Sequence, residues 1–231
     1  METILKTSKL SKYYYTKCAL RDVDIEIPKG RIVGLLGPNG SGKTTFIKIA
    51  AGILRKSSGE ITICNKAPGP DTKAIVSYLP DVNHLYNWMK ISDSMNFFSD
   101  FYKDFDKEKF KELMKFMKLN EDDKITSLSK GMTEKLLLSL VLSRKAKLYI
   151  LDEPLAGVDP VAREKILDTI INNYNEESSM IITTHLVNDI ERIFDDVLFM
   201  KDGEIVLSGN AEELRTKKNK SIDELFREVY E

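Results

Sequence analysis

The sequence predicts an α/β fold: a mainly parallel sheet covered by helices, with an antiparallel β portion at the N-terminal end and an α-helical subdomain inserted in the middle. Three observations carry this expectation. Short apolar runs alternate with helical patterns through the second half of the chain, as in strand–helix–strand units. A glycine-rich segment, GPNGSGKTT at 37–45, separates one apolar run from a helical pattern. Residues 92–145 exchange the strand signal for apolar residues at helical spacing.

In chain order, DVDIEI (22–27) alternates and reads as a strand, RIVGLLG (31–37) is a short apolar run ended by glycine, and EITIC (60–64) and AIVSYL (74–79) are similar runs. A helix follows the glycines over about 42–53. In the middle block, Phe110, Leu113, Met114 and Met117 fall at i, i+3, i+4, i+7, and Leu136, Leu137, Leu140 and Val141 do likewise. This stripe reads as core packing and not as a cofactor box, because an amphipathic helix needs such a face simply to pack. KLYILD, SMIITT, DVLFM and GEIVLSG read as the later strands, with helices over about 160–174 and 186–192 and one or two short helices from Ala211 onward. The expected organisation is a single domain: a β-rich core over 1–91 and 146–210, the helical subdomain over 92–145, and a helical tail over 211–231.

Lys and Arg number 35 against 36 Asp and Glu in 231 residues, so no bulk field argues for nucleic acid or an anionic membrane surface. The one basic cluster, LRTKKNK at 214–220, reads as a solvated helix end. Cys18 and Cys64 are far apart without metal-type spacing, which fits a reducing compartment. The start of the chain has no apolar segment of signal-peptide length, and no window spans a bilayer. The chain is therefore expected in the cytoplasm, reaching a membrane only through a partner.

The segment 37–45 carries the first chemistry. Between a strand and a helix, Gly37, Gly40 and Gly42 let backbone N–H groups converge on an anion, and the helix start adds partial positive charge. Lys43 would reach terminal phosphates and Thr44 would place its hydroxyl on magnesium. In KLYILDEP the apolar strand ends in two carboxylates: Asp152 on the metal side, Glu153 orienting or deprotonating an attacking water. His185, after SMIITT, could donate to charge developing on the terminal phosphate. His84 has no such context.

Taken in order, GPNGSGKTT, LSKGM, LYILDEP, AGVD and TTH resemble the P-loop, signature sequence, Walker B strand, D-loop and switch histidine of the ATP-binding cassette family, over nearly the whole chain from about Leu5 to Gly209. The resemblance is strongest to single-cassette ATPase subunits that pair with separately encoded membrane proteins. It implies a P-loop NTPase core, ATP and Mg2+ as ligands, an integral membrane permease as partner, and a second cassette chain, identical or related. ATP would be held by Gly37, Pro38, Asn39, Gly40, Ser41, Gly42, Lys43, Thr44 and Thr45, and by Ser129 and Gly131 of the opposite chain. A serine hydroxyl and a backbone N–H at a helix start form a reasonable anion site, although the same hydroxyl can simply cap its own helix. By the same resemblance Tyr14 stacks on adenine, with Tyr13 the alternative in the run of three tyrosines, and Asp159 links the two sites.

Two departures stand out against that family. Asp81 occupies the position after YLP where glutamine is usual, keeping an oxygen for the metal but shorter by a methylene and charged. Lys130 and Met132 replace glycine and glutamine in the signature, leaving Ser129 and Gly131. The function expected is an ATP-hydrolysing subunit that drives transport by ATP-dependent dimerisation. The alternatives are a cassette ATPase acting outside transport and a nucleotide sensor disabled by Asp81. The loop VNHLYNWMKISD begins the surface that, by resemblance, receives a cytoplasmic helix of the membrane partner; Trp88 could equally pack the helical block onto the sheet.

Overall fold

The computed structural model describes residues 2–156, 158–174 and 177–231. Two sheets organise the molecule. The first joins β1 (Thr3–Tyr14), β2 (Lys17–Val23), β3 (Glu26–Pro28) and β5 (Ser58–Ile63), with every pairing antiparallel to the long β1. The second runs β10 (Glu204–Asn210), β9 (Asp196–Lys201), β4 (Ile32–Leu36), β8 (Ser179–Thr184), β7 (Leu148–Asp152) and β6 (Val76–Leu79), and all its ladders are parallel except β9–β10.

Strand periodicity shows why the central strands of the second sheet are covered on both faces. Ile32 and Leu36, Tyr149 and Leu151, Met180 and Ile182, Val197 and Phe199 face one core; Val33 and Leu35, Leu148 and Ile150, Ile181, Leu198 and Met200 face the other. A strand buried on both faces reads as an uninterrupted apolar run, which is how these segments look in the sequence. The second core is shared with the antiparallel sheet and with α1 (Lys43–Ala50), whose Phe46, Ile47 and Ile49 are buried. The first core carries α3 (Ile91–Phe101), α4 (Lys107–Met117), α5 (Lys130–Leu142) and α6 (Pro160–Asn173), together with Phe110, Leu113, Met114 and Met117 of the anticipated stripe. The remaining helices are α2 (Pro70–Lys73), α7 (Val187–Ile190), α8 (Ala211–Lys218) and α9 (Ile222–Tyr230).

Local chemistry moved some boundaries. DVDIEI is two strands and not one. The Thr7 hydroxyl donates to Val23 O (2.8 Å) and accepts from Ile25 N–H (2.9 Å), while Asp24 Oδ1 accepts from Lys9 N–H, so side chains interrupt the pairing with β1 between β2 and β3, where the Thr7 N–H still donates to Ile25 O (2.8 Å). The helix expected over about 42–53 ends at Ala50, and Gly52 follows with φ +68°, a left-handed turn suited to glycine. Trp88 does not pack the helical block onto the sheet; it is 71% exposed and stacks on Tyr86. The basic cluster lies at the end of α8, where Lys217 and Lys218 are exposed and suit the negative end of the helix dipole.

Candidate functional site

Parallel strands deliver their C-terminal ends to one edge, and four of them end in residues singled out above. β4 feeds the loop at Gly37, β7 ends in Asp152 and Glu153, β8 precedes His185, and β6 precedes Asp81. In open parallel sheets this edge is where ligands bind. A cleft of about 330 Å³ lies there, lined by Asn39, Gly40, Ser41, Gly42, Lys43, Thr44, Thr45, Asp81 and Glu153, and also by Tyr14, Lys17 and Ala19 of the antiparallel sheet and its hairpin. Of the two candidate tyrosines, Tyr14 lines the cleft; Tyr13 sits in register with Cys18.

The loop is tightly seated. Gly42 takes φ +114°, and a Cβ there would lie 2.6 Å from Ala19 O, so only glycine turns the chain into α1 at this distance. Lys43, 6% exposed, donates through Nζ to Gly37 O (2.6 Å) and Pro38 O (3.1 Å) and stands 3.9 Å from Glu153 Oε1. Burial pulls its ammonium pKa down, against the opposing pull of Glu153 and Asp152.

Glu153 has φ +50°, a left-handed backbone uncommon for a non-glycine residue and concentrated at functional sites. Its N–H donates to Thr183 O and Thr183 Oγ1, both at 3.1 Å, and its Oε2 lies 3.0 Å from His185 Nδ1. A carboxylate can only accept, so this contact places an imidazole proton on Nδ1; Nε2 then donates only from a doubly protonated ring. Glu153 thus sits between Lys43 and His185 at the mouth of the loop. Their meeting is a tertiary fact, since the glutamate and histidine are 32 positions apart.

Asp152 is buried, and burial raises its carboxyl pKa, partly offset by the Thr183 hydroxyl donating to Oδ1 at 2.6 Å. Its Oδ2 is buried without a hydrogen-bond partner. A hard cation suits an open, buried carboxylate oxygen. Among the described residues no group of three or more His, Cys, Asp or Glu side chains could hold a metal ion by itself. Asp152, Asp81 and Thr44 carry oxygens of the kind magnesium takes, and would supply at most part of its shell.

Seven candidates lie outside this cleft's lining: Gly37, Pro38, Asp152 and His185, which adjoin it through the loop and the contacts above, and Ser129, Gly131 and Asp159, which do not. Ser129 caps α5, accepting from Met132 N–H at 3.3 Å, and is exposed. Gly131, in the first turn, has open space where a Cβ would be. Asp159 caps α6, accepting from Ala162 N–H at 3.0 Å, and is exposed; Gly157 of the same AGVD stretch lies outside the described residues. Sequence reasoning missed Thr183, which bridges Asp152 and Glu153, because a threonine within an apolar strand carries no signal of its own.

Residues 20–156 match the ABC transporter family. Over 224 residues the chain is 32% identical to the uncharacterized ABC transporter ATP-binding protein YxlF of Bacillus subtilis (strain 168), covering 95% of this chain and 75% of that one. The fold superposes on a solved ATP-binding subunit of an ABC transporter with a TM-score of 0.88 at 26% identity, covering 99% and 100% of the two chains. It also superposes on MJ1267, an ATP-binding cassette of an ABC transporter solved in its ADP conformation, with a TM-score of 0.80 at 26% identity, covering 100% and 99%.

Proposed function

This chain belongs to the ATP-binding cassette family of ABC transporters, and from that membership we propose that it hydrolyses ATP to drive a separate membrane permease, acting as one half of a cassette dimer. The observation that carries the hydrolytic reading is the Glu153 carboxylate held between Lys43 and His185 at the mouth of the phosphate loop. Lys43 exchanges its two neutral carbonyl partners for charged phosphate oxygens, a stronger, charge-assisted contact. Glu153 orients water and accepts its proton, and His185 steadies the carboxylate on one side. Asp152, Asp81 and Thr44 would hold magnesium, which would supply charge neutralisation on the phosphates. Tyr14 offers a ring face to the base.

The dimer reading is supported by Gly131. A glycine within a helix costs about 0.5–1 kcal/mol relative to alanine, and nothing among the described residues of its own chain needs the missing Cβ. Together with the exposed Ser129 hydroxyl, that space suits a phosphate approaching from the cleft of another copy. The permease reading is supported by an exposed aromatic patch on the loop after β6 and on α3, where Tyr86 stacks on Trp88 at 5.9 Å and Phe97 lies 4.6 Å from Phe101. Trp88 and Phe101 are 71% and 70% exposed, a coverage by water that a protein partner relieves. Among the described residues no helix is long and apolar enough to cross a membrane itself.

The test compares phosphate release by the wild-type chain and Glu153→Gln with magnesium and ATP, each with its membrane partner. Loss of at least about 100-fold in turnover, with ATP binding kept, is expected for removal of a general base. Equal release from both proteins refutes the hydrolytic reading. Recovery of ribosomes or DNA instead of a polytopic protein in mild-detergent pull-downs refutes the permease reading.

A further inference from the structure

The phosphate loop begins where β4 runs out, and its base is held by a residue far away in sequence. Tyr230, in α9, donates its hydroxyl toward two carbonyls at the ends of neighbouring parallel strands: Leu36 O of β4 at 3.1 Å and Met200 O of β9 at 2.9 Å. Leu36 is the residue before Gly37. The Met200 carbonyl also sets the loop's closest wall, since a Cβ on Gly37 would lie 2.5 Å from it. Two residues past β9, in the turn to β10, the Gly203 N–H donates to Ser41 O at 2.9 Å, and Gly203 O accepts from Arg21 N–H of β2 at 2.9 Å. The loop is therefore boxed between β4 and the β9–β10 corner, and one phenol ties these two walls together.

The ring is aimed by packing. It stacks on Phe199 at 6.4 Å with planes 15° apart, lies 4.6 Å from Phe226, and has Lys201 Nζ at 5.9 Å. The same lysine donates to Val229 O at 2.9 Å, which fixes the helix end that carries the tyrosine. Ile222 and Leu225 of α9 are buried, anchoring the helix in the first core. Burial pushes the phenol pKa up, so the hydroxyl stays a donor across the working pH range.

We propose that Tyr230 is a positioning residue for nucleotide binding: its hydroxyl fixes the spacing of the Leu36 and Met200 carbonyls and, through them, the seating of the loop 37–43. The inference rests on that loop being the phosphate site. Nothing in α9 touches the cleft, so the effect is transmitted through the strand ends alone.

The experiment measures ATP affinity by calorimetry, KM and turnover, melting temperature, and amide exchange of residues 37–43 for the wild type, Tyr230→Phe and Phe110→Leu. Tyr230→Phe keeps the ring and removes only the hydroxyl; Phe110→Leu opens the buried core beneath α4 and leaves α9 and its tyrosine in place. The expected result for Tyr230→Phe is ATP affinity weakened by about three- to tenfold, the range for one lost hydrogen bond, with KM raised, turnover at saturation unchanged and loop amides exchanging faster. Phe110→Leu is expected to lower the melting temperature more than Tyr230→Phe while leaving ATP affinity within twofold of wild type, about 0.4 kcal/mol by RT ln 2. Wild-type affinity and loop exchange in Tyr230→Phe overturn the proposal, as does an affinity loss that tracks melting temperature in both variants. A wild-type chain that fails to bind ATP overturns the nucleotide reading instead, and is told apart by that control.

Discussion

Glu134 lies in the first part of α5, five residues after Ser129, and burial raises its carboxyl pKa from 4.5 to about 7; Lys130 opposes the shift and Asp81 adds to it. The unfolded chain ionises this group near 4.5 and the folded chain near 7, so between those values the unfolded state holds fewer protons. Stability is therefore undiminished below the lower value, falls as pH rises through the window, and levels off above about 7. Integrated from pH 5 to pH 8, the loss is about 2.5 kcal/mol for a fully sheltered group, and partial exposure trims it to about 2 kcal/mol. Glu134→Gln removes this titration and leaves every other group in place. Urea unfolding of both proteins, with a chelator and without nucleotide, should show the variant gaining about 2 kcal/mol on the wild type between pH 5 and pH 8. A gain below about 0.5 kcal/mol, or one that shrinks with pH, refutes the argument that Glu134 is ionised at the expense of the fold.

Gly131→Ala separates the demands of the helix from those of the proposed second copy. Chemical denaturation should find the variant unchanged or more stable by up to about 1 kcal/mol, while phosphate release falls at least about tenfold; release at the wild-type rate detaches Gly131 from the phosphate. Thr183→Val removes the donor to Asp152 Oδ1 and one acceptor of the Glu153 N–H at nearly constant shape. It should cost about 1–2 kcal/mol in unfolding and raise the Asp152 pKa further. The magnesium concentration needed for half-maximal turnover then rises, and Thr183→Ser restores it; an unaltered magnesium profile breaks the link between the two carboxylates.

The legible parts of the chain share a property: their cause is local. β4, β7 and β8 are readable because burial on both faces demands an unbroken apolar run, and α4 because Phe110, Leu113, Met114 and Met117 repeat at the helical period. GPNGSGKTT is readable because its glycines answer to backbone angles and close approaches within the loop and its immediate walls. What escaped has its cause elsewhere in the chain. The break between β2 and β3 is made by Thr7, 16 and 18 positions away, and no pattern within DVDIEI announces it. The choice between Tyr13 and Tyr14 depends on which one the β1–β2 hairpin turns toward the cleft, a matter of register that three adjacent tyrosines hide. Tyr230 reaches Leu36 across 194 positions from a tail whose own sequence speaks only of an amphipathic helix.

The site also shows how its two charged centres differ in readiness. Lys43 is bound to neutral carbonyls of its own loop, so a phosphate needs only to offer a better acceptor for the same ammonium. Glu153 is bound differently: its main chain is pinned in a left-handed turn by the two Thr183 acceptors, and its side chain engages an exposed histidine. Of that pair, the imidazole is the more exposed member, at 43% against 14% for the glutamate. On the proposed reading the sheltered carboxylate would be the reference point of the site, and the exposed His185 beside it the member with room to follow it. The strain at Glu153 has a physical use on this view. The two Thr183 acceptors set where the Glu153 side chain leaves the main chain, and from that point its carboxylate reaches both Lys43 at 3.9 Å and His185 at 3.0 Å.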